Sequence, residues 1–240
     1  YSGDFFVSKL YNTLILAGGG KRFSLTDGRV ISKLEFNVAG MRLIDRVLCM
    51  YRDNRVHLVI SDHEKDLSLP QNISICMVGS TKGALVTALI GLKDCDLSLP
   101  LVICPGDSLL KEGAFQEFIE SSKYSDISLI VFNSDKENYS YIRTIDEMLV
   151  EVCEKKVISS VATAGFFYFK SAQLFLDCAE WAIMNNITTN NSFFIAPALN
   201  YAVILGSNLS LFYVEEAAYY RFSDLDEAQE SEIRYKNAIQ

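Results

Sequence analysis

The stretch Leu14-Ile-Leu-Ala-Gly-Gly-Gly-Lys-Arg-Phe23 decides the fold. Leu14, Ile15, Leu16 and Ala17 run without interruption into Gly18, Gly19 and Gly20. An unbroken apolar run that ends in glycine reads as a strand buried on both faces, as in a parallel sheet. The glycines leave backbone N–H groups open to close approach. Lys21 and Arg22 follow at once. Bare amides at a strand's end beside fixed cations suit a phosphate chain. Arginine can bind phosphate through two parallel hydrogen bonds. Two familiar phosphate strings are ruled out. No G-x-x-x-x-G-K-[ST] occurs, and G-x-G-x-x-G fails because Phe23 stands where the last glycine belongs.

Working outward, "RVHLVIS", "ISICMVG", "LPLVICPGD" and "DISLIVFNS" read as further strands. "GMRLIDRVLCMYRDN" and "GAFQEFIESSKY" have helical spacing, as does "TKGALVTALIGLKD", starting at Thr81 or Lys82. This alternation over roughly the first 135 residues predicts an α/β fold, a Rossmann-like, doubly wound mixed sheet that is mostly parallel. "YSYIRTIDEMLVEVCEKKVIS" then alternates like a meander of exposed strands, a small β-rich insertion near residues 136–160. "TAGFFYFKS" is an aromatic strand and "AQLFLDCAEWAIMNN" a helix. "SFFIAPALNYAVILG" reads as helical after Pro197 and stops at Gly206, and "NLSLFYVEE" is a late strand. Residues 10–240 are expected to form one domain. Residues 1–9 are expected to be an N-terminal extension or the tail of a preceding segment.

The 240 residues are 50% apolar and 22% charged, enough for a sizeable core and unlike a disordered chain. The net charge is −8, and no long basic run occurs. Duplex nucleic acid and anionic membrane are therefore not expected as partners. No run of about 18 apolar residues appears. The six cysteines are scattered, form no C-x-x-C pair and mostly sit in apolar runs. They read as reduced, buried thiols of a cytoplasmic protein. His57 and His63 lie near no nucleophile motif and are expected at the surface or a strand edge.

"GGGKRF" followed by "SKLEFNVAGMRLIDRVL" resembles the opening of the sugar-phosphate nucleotidyltransferases. Their pattern is a strand, G-x-G-x-R, about ten residues, then K-P-L-x-P-x-x-G-K-P-x-I. Gly18, Gly20 and Arg22 match the first part; Lys33, Gly40 and Ile44 match the second. Leu34 and Asn37 replace the prolines, and Met41-Arg42 replaces Lys-Pro. In the same order, "STKGALVTAL" resembles the family's nucleobase segment and "LVICPGDSLL" its metal-binding strand end. "VEVCEKKVISSVATAGFFYFK" resembles its sugar-phosphate segment, and "SFFIAPALNYAVILGSNLSLFYVE" the closing region of members serving capsule and surface-polysaccharide synthesis.

The resemblance implies transfer of a nucleotidyl group from an NTP to a small phosphorylated substrate, with release of pyrophosphate. It implies Leu16, Ala17, Gly18, Gly19, Gly20, Lys21, Thr81, Gly83 and Ala84 around the nucleotide, with Arg22 on the departing pyrophosphate. Lys33 would bridge the α-phosphate and the incoming phosphate. Asp107 would hold Mg²⁺ and face the substrates. Glu154, Lys155 and Gly165 would meet the sugar phosphate. The family tail, W-x-D-x-G-T-P-E-D-L, is here "YYRFSDLDEAQ". Arg221 stands at the second metal ligand. Asp224 and Asp226 could substitute, or could cap a helix. Three alternatives stay open: a cytidylyltransferase acting on a non-sugar phosphate such as choline phosphate, a degenerate nucleotide-binding paralogue with a regulatory role, and a glycosyltransferase. The last needs a D-x-D at a strand end, and "DCD" at 94–96 lies upstream of one. Association of identical chains also stays open.

Overall fold

The structure, a computed structural model, describes residues 10–51, 55–146 and 148–239. The expected N-terminal extension, residues 1–9, lies outside the described residues, as do residues 52–54 of the first helical stretch and residue 147 of the meander. The chain opens with β1 (Asn12–Ala17), then the hairpin β2 (Arg22–Ser24) and β3 (Val30–Ser32). A small ladder, β4 (Asn37–Val38) and β5 (Met41–Arg42), leads into α1 (Leu43–Cys49). Then come β6 (Arg55–Ser61), β7 (Ser74–Val78), α2 (Ala84–Gly91), β8 (Leu101–Pro105) and β9 (Ser108–Leu110). They are followed by α3 (Ala114–Ser122), β10 (Ile127–Asn133), β11 (Ser140–Ile145), β12 (Met148–Glu154) and β13 (Val161–Phe169). The chain closes with α4 (Ala172–Met184), α5 (Ile195–Ala198), α6 (Asn200–Ile204), β14 (Leu209–Tyr213), β15 (Tyr219–Arg221) and α7 (Leu225–Ala238).

Nine strands form one sheet in which β7, β6, β1 and β8 lie side by side and parallel. β13 runs against both β8 and β10, and β14 pairs parallel with β10. The hairpin β11–β12 extends the sheet from β13. Only β13 and β12 run against the common direction, so the sheet is mixed and mostly parallel, as the strand–helix alternation predicts. Successive strand residues feed opposite faces. Ile15 and Val102 pack with α1, α3 and the tail aromatics Tyr220 and Phe222. Leu14 and Ile103 pack with α2, α4 and α5. No described helix is long and apolar enough to cross a membrane.

Four expectations change. The meander is not an exposed appendage: Tyr141, Ile142 and Val152 are buried, because β11 joins the main sheet at Tyr141↔Ala162. The free edge of β12 is covered by a side chain. Asn200 accepts a hydrogen bond from the Val152 N–H and donates one to its carbonyl, each 2.9 Å. α5 starts at Ile195, before Pro197, which therefore sits in the first helical turn where its missing N–H costs nothing. α2 starts at Ala84, beyond Thr81 and Lys82. Gly83 delays it, with φ +107 and a backbone pressed against Phe193. A Cβ there would penetrate the Phe193 carbonyl oxygen and come within 2.9 Å of its nitrogen. His57 is neither at the surface nor at an edge. It pairs with Leu14 on one side and Ser74 on the other and is 8% exposed. Neither ring nitrogen has a hydrogen-bond partner among the described residues. Burial lowers its pKa; Asp94 opposes that shift and Arg55 reinforces it.

Two stability predictions follow from these positions. Below about pH 6.5 the unfolded chain takes up a proton that folded His57 resists, so stability falls as pH drops through that value. His57→Leu should flatten this loss between pH 7 and pH 5 in urea unfolding; an unchanged pH slope refutes it. Gly83→Ala should cost about 2–4 kcal/mol, through strain and overpacking. Gly19→Ala, whose Cβ would meet nothing within 4 Å, should stay within about 0.5 kcal/mol of wild type.

Candidate active site

Parallel pairing of β7, β6, β1 and β8 brings their carboxyl ends to one edge. β1 ends in Gly18–Gly20, and β6 in a 3-10 turn, Asp62–Glu64. β7 ends in Gly79-Ser80-Thr81, and β8 in Gly106-Asp107. The strand order reverses at β1, with β6 and β7 on one side and β8 on the other. Such a reversal opens a crevice where α/β sheets take their ligands.

Two adjoining hollows occupy this edge. The larger, about 610 Å³, lies between the three glycines, Leu16, Ser61, His63 and the segment from Gly79 to Thr87. Its volume is in the range of small-molecule sites. Thr81, Gly83 and Ala84 all line it. The Thr81 and Thr87 hydroxyls lie 2.6 Å apart, and Thr87 also donates to the Gly83 carbonyl. The loop is closed from behind: Phe193 N–H donates to the Lys82 carbonyl, and Leu85 N–H donates to the Phe193 carbonyl.

The smaller hollow, about 130 Å³, shares Leu16, Gly19 and Gly20. Ala17, Lys21, Lys33, Glu64 and Asp107 also line it. Lys33 reaches it because the β2–β3 hairpin folds back, its own N–H donating to the Lys21 carbonyl. Its Nζ lies 2.6 Å from Asp107 Oδ2, with the side chains 15% and 26% exposed respectively. Lys21 Nζ donates to the Ser223 carbonyl, tying the glycine loop to the tail. Arg22 is exposed and lines neither hollow. It makes no hydrogen bond or ion pair among the described residues.

Gly165 and Arg221 lie beside the end of β8, and Glu154 and Lys155 lie within electrostatic reach of each other, with Arg221 acting on Glu154. Gly165, at φ +84, faces the Pro105 ring two residues before Asp107. β15 pairs with β9, placing Arg221 opposite Ser108, and Phe222 N–H donates to the Asp107 carbonyl. The Arg221 guanidinium stacks over Tyr139, 5.1 Å from the ring centre, and lies 3.7 Å from Glu227. Burial raises the Glu154 pKa, while the Ser140 hydroxyl, Lys155 and Arg221 pull it down. Lys155 Nζ sits 5.0 Å above the Phe194 ring. Asp224 caps α7, accepting the Glu227 N–H. It is therefore a helix cap, the second of its two sequence readings.

Sequence reasoning missed Ser61, His63, Glu64, Thr87 and Ser32. The run "SDHE" carries a usable signal, since it follows a buried strand and so lies at the ligand-facing edge. Among the described residues no group of three or more His, Cys, Asp or Glu is placed to hold a metal. Asp107 is a single carboxylate. Mg²⁺ is commonly held by one or two carboxylates together with substrate phosphates, so this donor set fits the ion only with a nucleotide present.

No family model and no curated protein matches the sequence. Solved structures do match the fold. A nucleoside-diphosphate-sugar pyrophosphorylase from Vibrio cholerae RC9 is similar with TM-score 0.72 and 15% identity, over 92% of this chain and 99% of that one. The inositol-1-phosphate CTP transferase from T. maritima gives TM-score 0.71 and 18% identity, over 95% and 96%. HddC from Yersinia pseudotuberculosis gives 0.65 and 17%, over 95% and 100%. The chain has the mixed α/β fold of these proteins along nearly its whole length.

Proposed function

We propose that this chain is a nucleotidyltransferase that moves an NMP from an NTP to a sugar phosphate and releases pyrophosphate. The observation that carries this reading is the meeting of Gly18–Gly20, Lys21, Lys33 and Asp107 at one strand edge, beside a nucleoside-sized hollow. The named activities of two fold neighbours, a sugar pyrophosphorylase and a CTP transferase, support it.

In this reading an oxygen of the acceptor phosphate attacks the α-phosphorus in line. The bond from that phosphorus to the bridging oxygen breaks, and pyrophosphate leaves. Both reactants are anions, so positioning and charge neutralisation dominate the barrier. Leu16, Ala17 and the glycines let the nucleotide lie close to the backbone. Thr81, Gly83 and Ala84 hold the base. Lys33 exchanges its partner Asp107 for the α-phosphate and the incoming phosphate. Lys21 lines the phosphate end, and the unpaired Arg22 beside it takes the departing pyrophosphate. Asp107 would hold Mg²⁺, which when bound neutralises phosphate charge. Glu154, Lys155 and Gly165 would meet the acceptor. The likeness of the closing region to capsule-linked members supports a role in surface-polysaccharide precursor synthesis. The free thiols, with Cys76, Cys104 and Cys178 buried, support a cytoplasmic setting. Arg221 at the tail favours a second reading, a nucleotide-binding paralogue without turnover.

The test is pyrophosphate release from each NTP with Mg²⁺ and a panel of sugar 1-phosphates and choline phosphate. One NTP–acceptor pair should turn over. Lys33→Met and Asp107→Asn should each reduce kcat about a hundredfold or more, while the NTP still raises the melting temperature. Melting shifts with no turnover for any acceptor would select the paralogue. Absence of any shift with any NTP would refute both readings.

A further inference from the structure

The smaller hollow contains a carboxylate that the proposed chemistry leaves unused. Glu64 is 5% exposed, although it belongs to a surface-forming 3-10 turn rather than a strand. An ionised carboxylate is expensive to bury without partners. Among the described residues its one hydrogen-bond donor is the Ser32 hydroxyl, 2.8 Å from Oε1. Ser32 is itself 1% exposed. The same hydroxyl accepts the Leu34 N–H at 3.1 Å and so caps the turn Lys33–Glu35. A hydroxyl has one proton to give. Donating it to Glu64 leaves its lone pairs aimed at the turn, which fixes the rotamer that forms the cap.

We propose that Glu64 is a positioning residue for Lys33, acting through Ser32. The proposal rests on the reading of Lys33 as the phosphate-binding cation. Three contacts in series then fix the turn that carries Lys33. The Lys33 N–H binds the Lys21 carbonyl in the glycine loop. Ser32 caps the turn from within the hairpin, and Glu64 anchors Ser32 from the end of β6. Glu64's turn is in turn capped by Ser61, whose hydroxyl accepts the His63 N–H. Lys33 is thereby referenced to the rigid sheet rather than to a two-stranded hairpin alone. A displacement of about 1 Å at a reacting group can cost about a hundredfold in rate.

The role needs an acceptor for the Ser32 proton, not a charge, and this separates it from simple charge balance with Lys33. Glu64→Gln keeps an accepting oxygen; Glu64→Ala and Ser32→Ala do not. With the NTP and acceptor found above, both truncations should lower kcat about 10- to 100-fold with KM for the NTP within twofold. The double truncation should be no worse than the more damaged single, and Glu64→Gln should stay within threefold of wild type. A second readout requires no turnover. Acetylation of Lys33 Nζ by acetic anhydride, followed by mass spectrometry, should rise severalfold in both truncations and not in Glu64→Gln. Should Glu64→Ala fail to fold, Ser32→Ala and Glu64→Gln carry both readouts. Glu64→Gln as impaired as Glu64→Ala would overturn the proposal, as would truncations with wild-type kcat and labelling. Full activity in Lys33→Met would instead defeat the reading of Lys33, and the labelling pattern would still decide whether Glu64 positions it.

Discussion

The hydrogen bond from the Gly106 N–H to the Leu16 carbonyl, 2.8 Å long, sets the spacing on which the site depends. It carries the β1–β8 ladder one step past its last pair, Leu16↔Pro105. The glycine loop and Asp107 are thus held on adjacent strands, with no flexible connection between them. On the other flank of β8 the ladder to β13 ends at Phe167↔Ile103. Pro105 has no N–H to continue it. Near Gly165 β13 parts from β8 while its register with β10 shifts, and the sheet opens there.

Lys33 and Asp107 join this framework through charge. Their side chains are neither solvated like a surface pair nor sealed like a buried one. The pair ties the β2–β3 hairpin to the end of β8. The tail fastens the site from behind. Phe222 holds the Asp107 carbonyl, and Lys21 holds the Ser223 carbonyl, so both loops of the site are fastened to the same short segment. Arg221 brings a cation to a place where the resembling family has a carboxylate.

The strands β1, β6, β8 and β10 were legible because each is mainly apolar, with at most one polar residue inside its run (His57 in β6, Ser128 in β10), and such runs arise from burial on both faces. Gly18–Gly20, Lys33, Asp107 and Thr81 were legible because motif order places them at strand ends. Apart from the run Ser61–Glu64, which its place after a buried strand puts at the ligand-facing edge, what escaped had no local signature. The start of α2 is set by Phe193, more than a hundred residues along the chain, and His57 looks polar in a segment whose neighbours on both sides are strands. Pro197 reads as a helix boundary, yet a first turn accepts it. The contact of Glu64 with Ser32 was invisible for the same reason. A Glu–Ser contact between two turns follows from the meeting of β6's end with the hairpin, and no spacing rule encodes that.

The Asn200 amide on β12 has a consequence of its own. Hairpins that finish a sheet expose a row of amides and carbonyls able to template another chain. Asn200 imitates one residue of a neighbouring strand, taking both backbone groups of Val152 while its amide also reaches the Pro197 carbonyl. The helix start that carries it thus works as a stopper, since with both groups of Val152 taken and α5 and α6 packed against β12 another strand finds no open pairing at that residue.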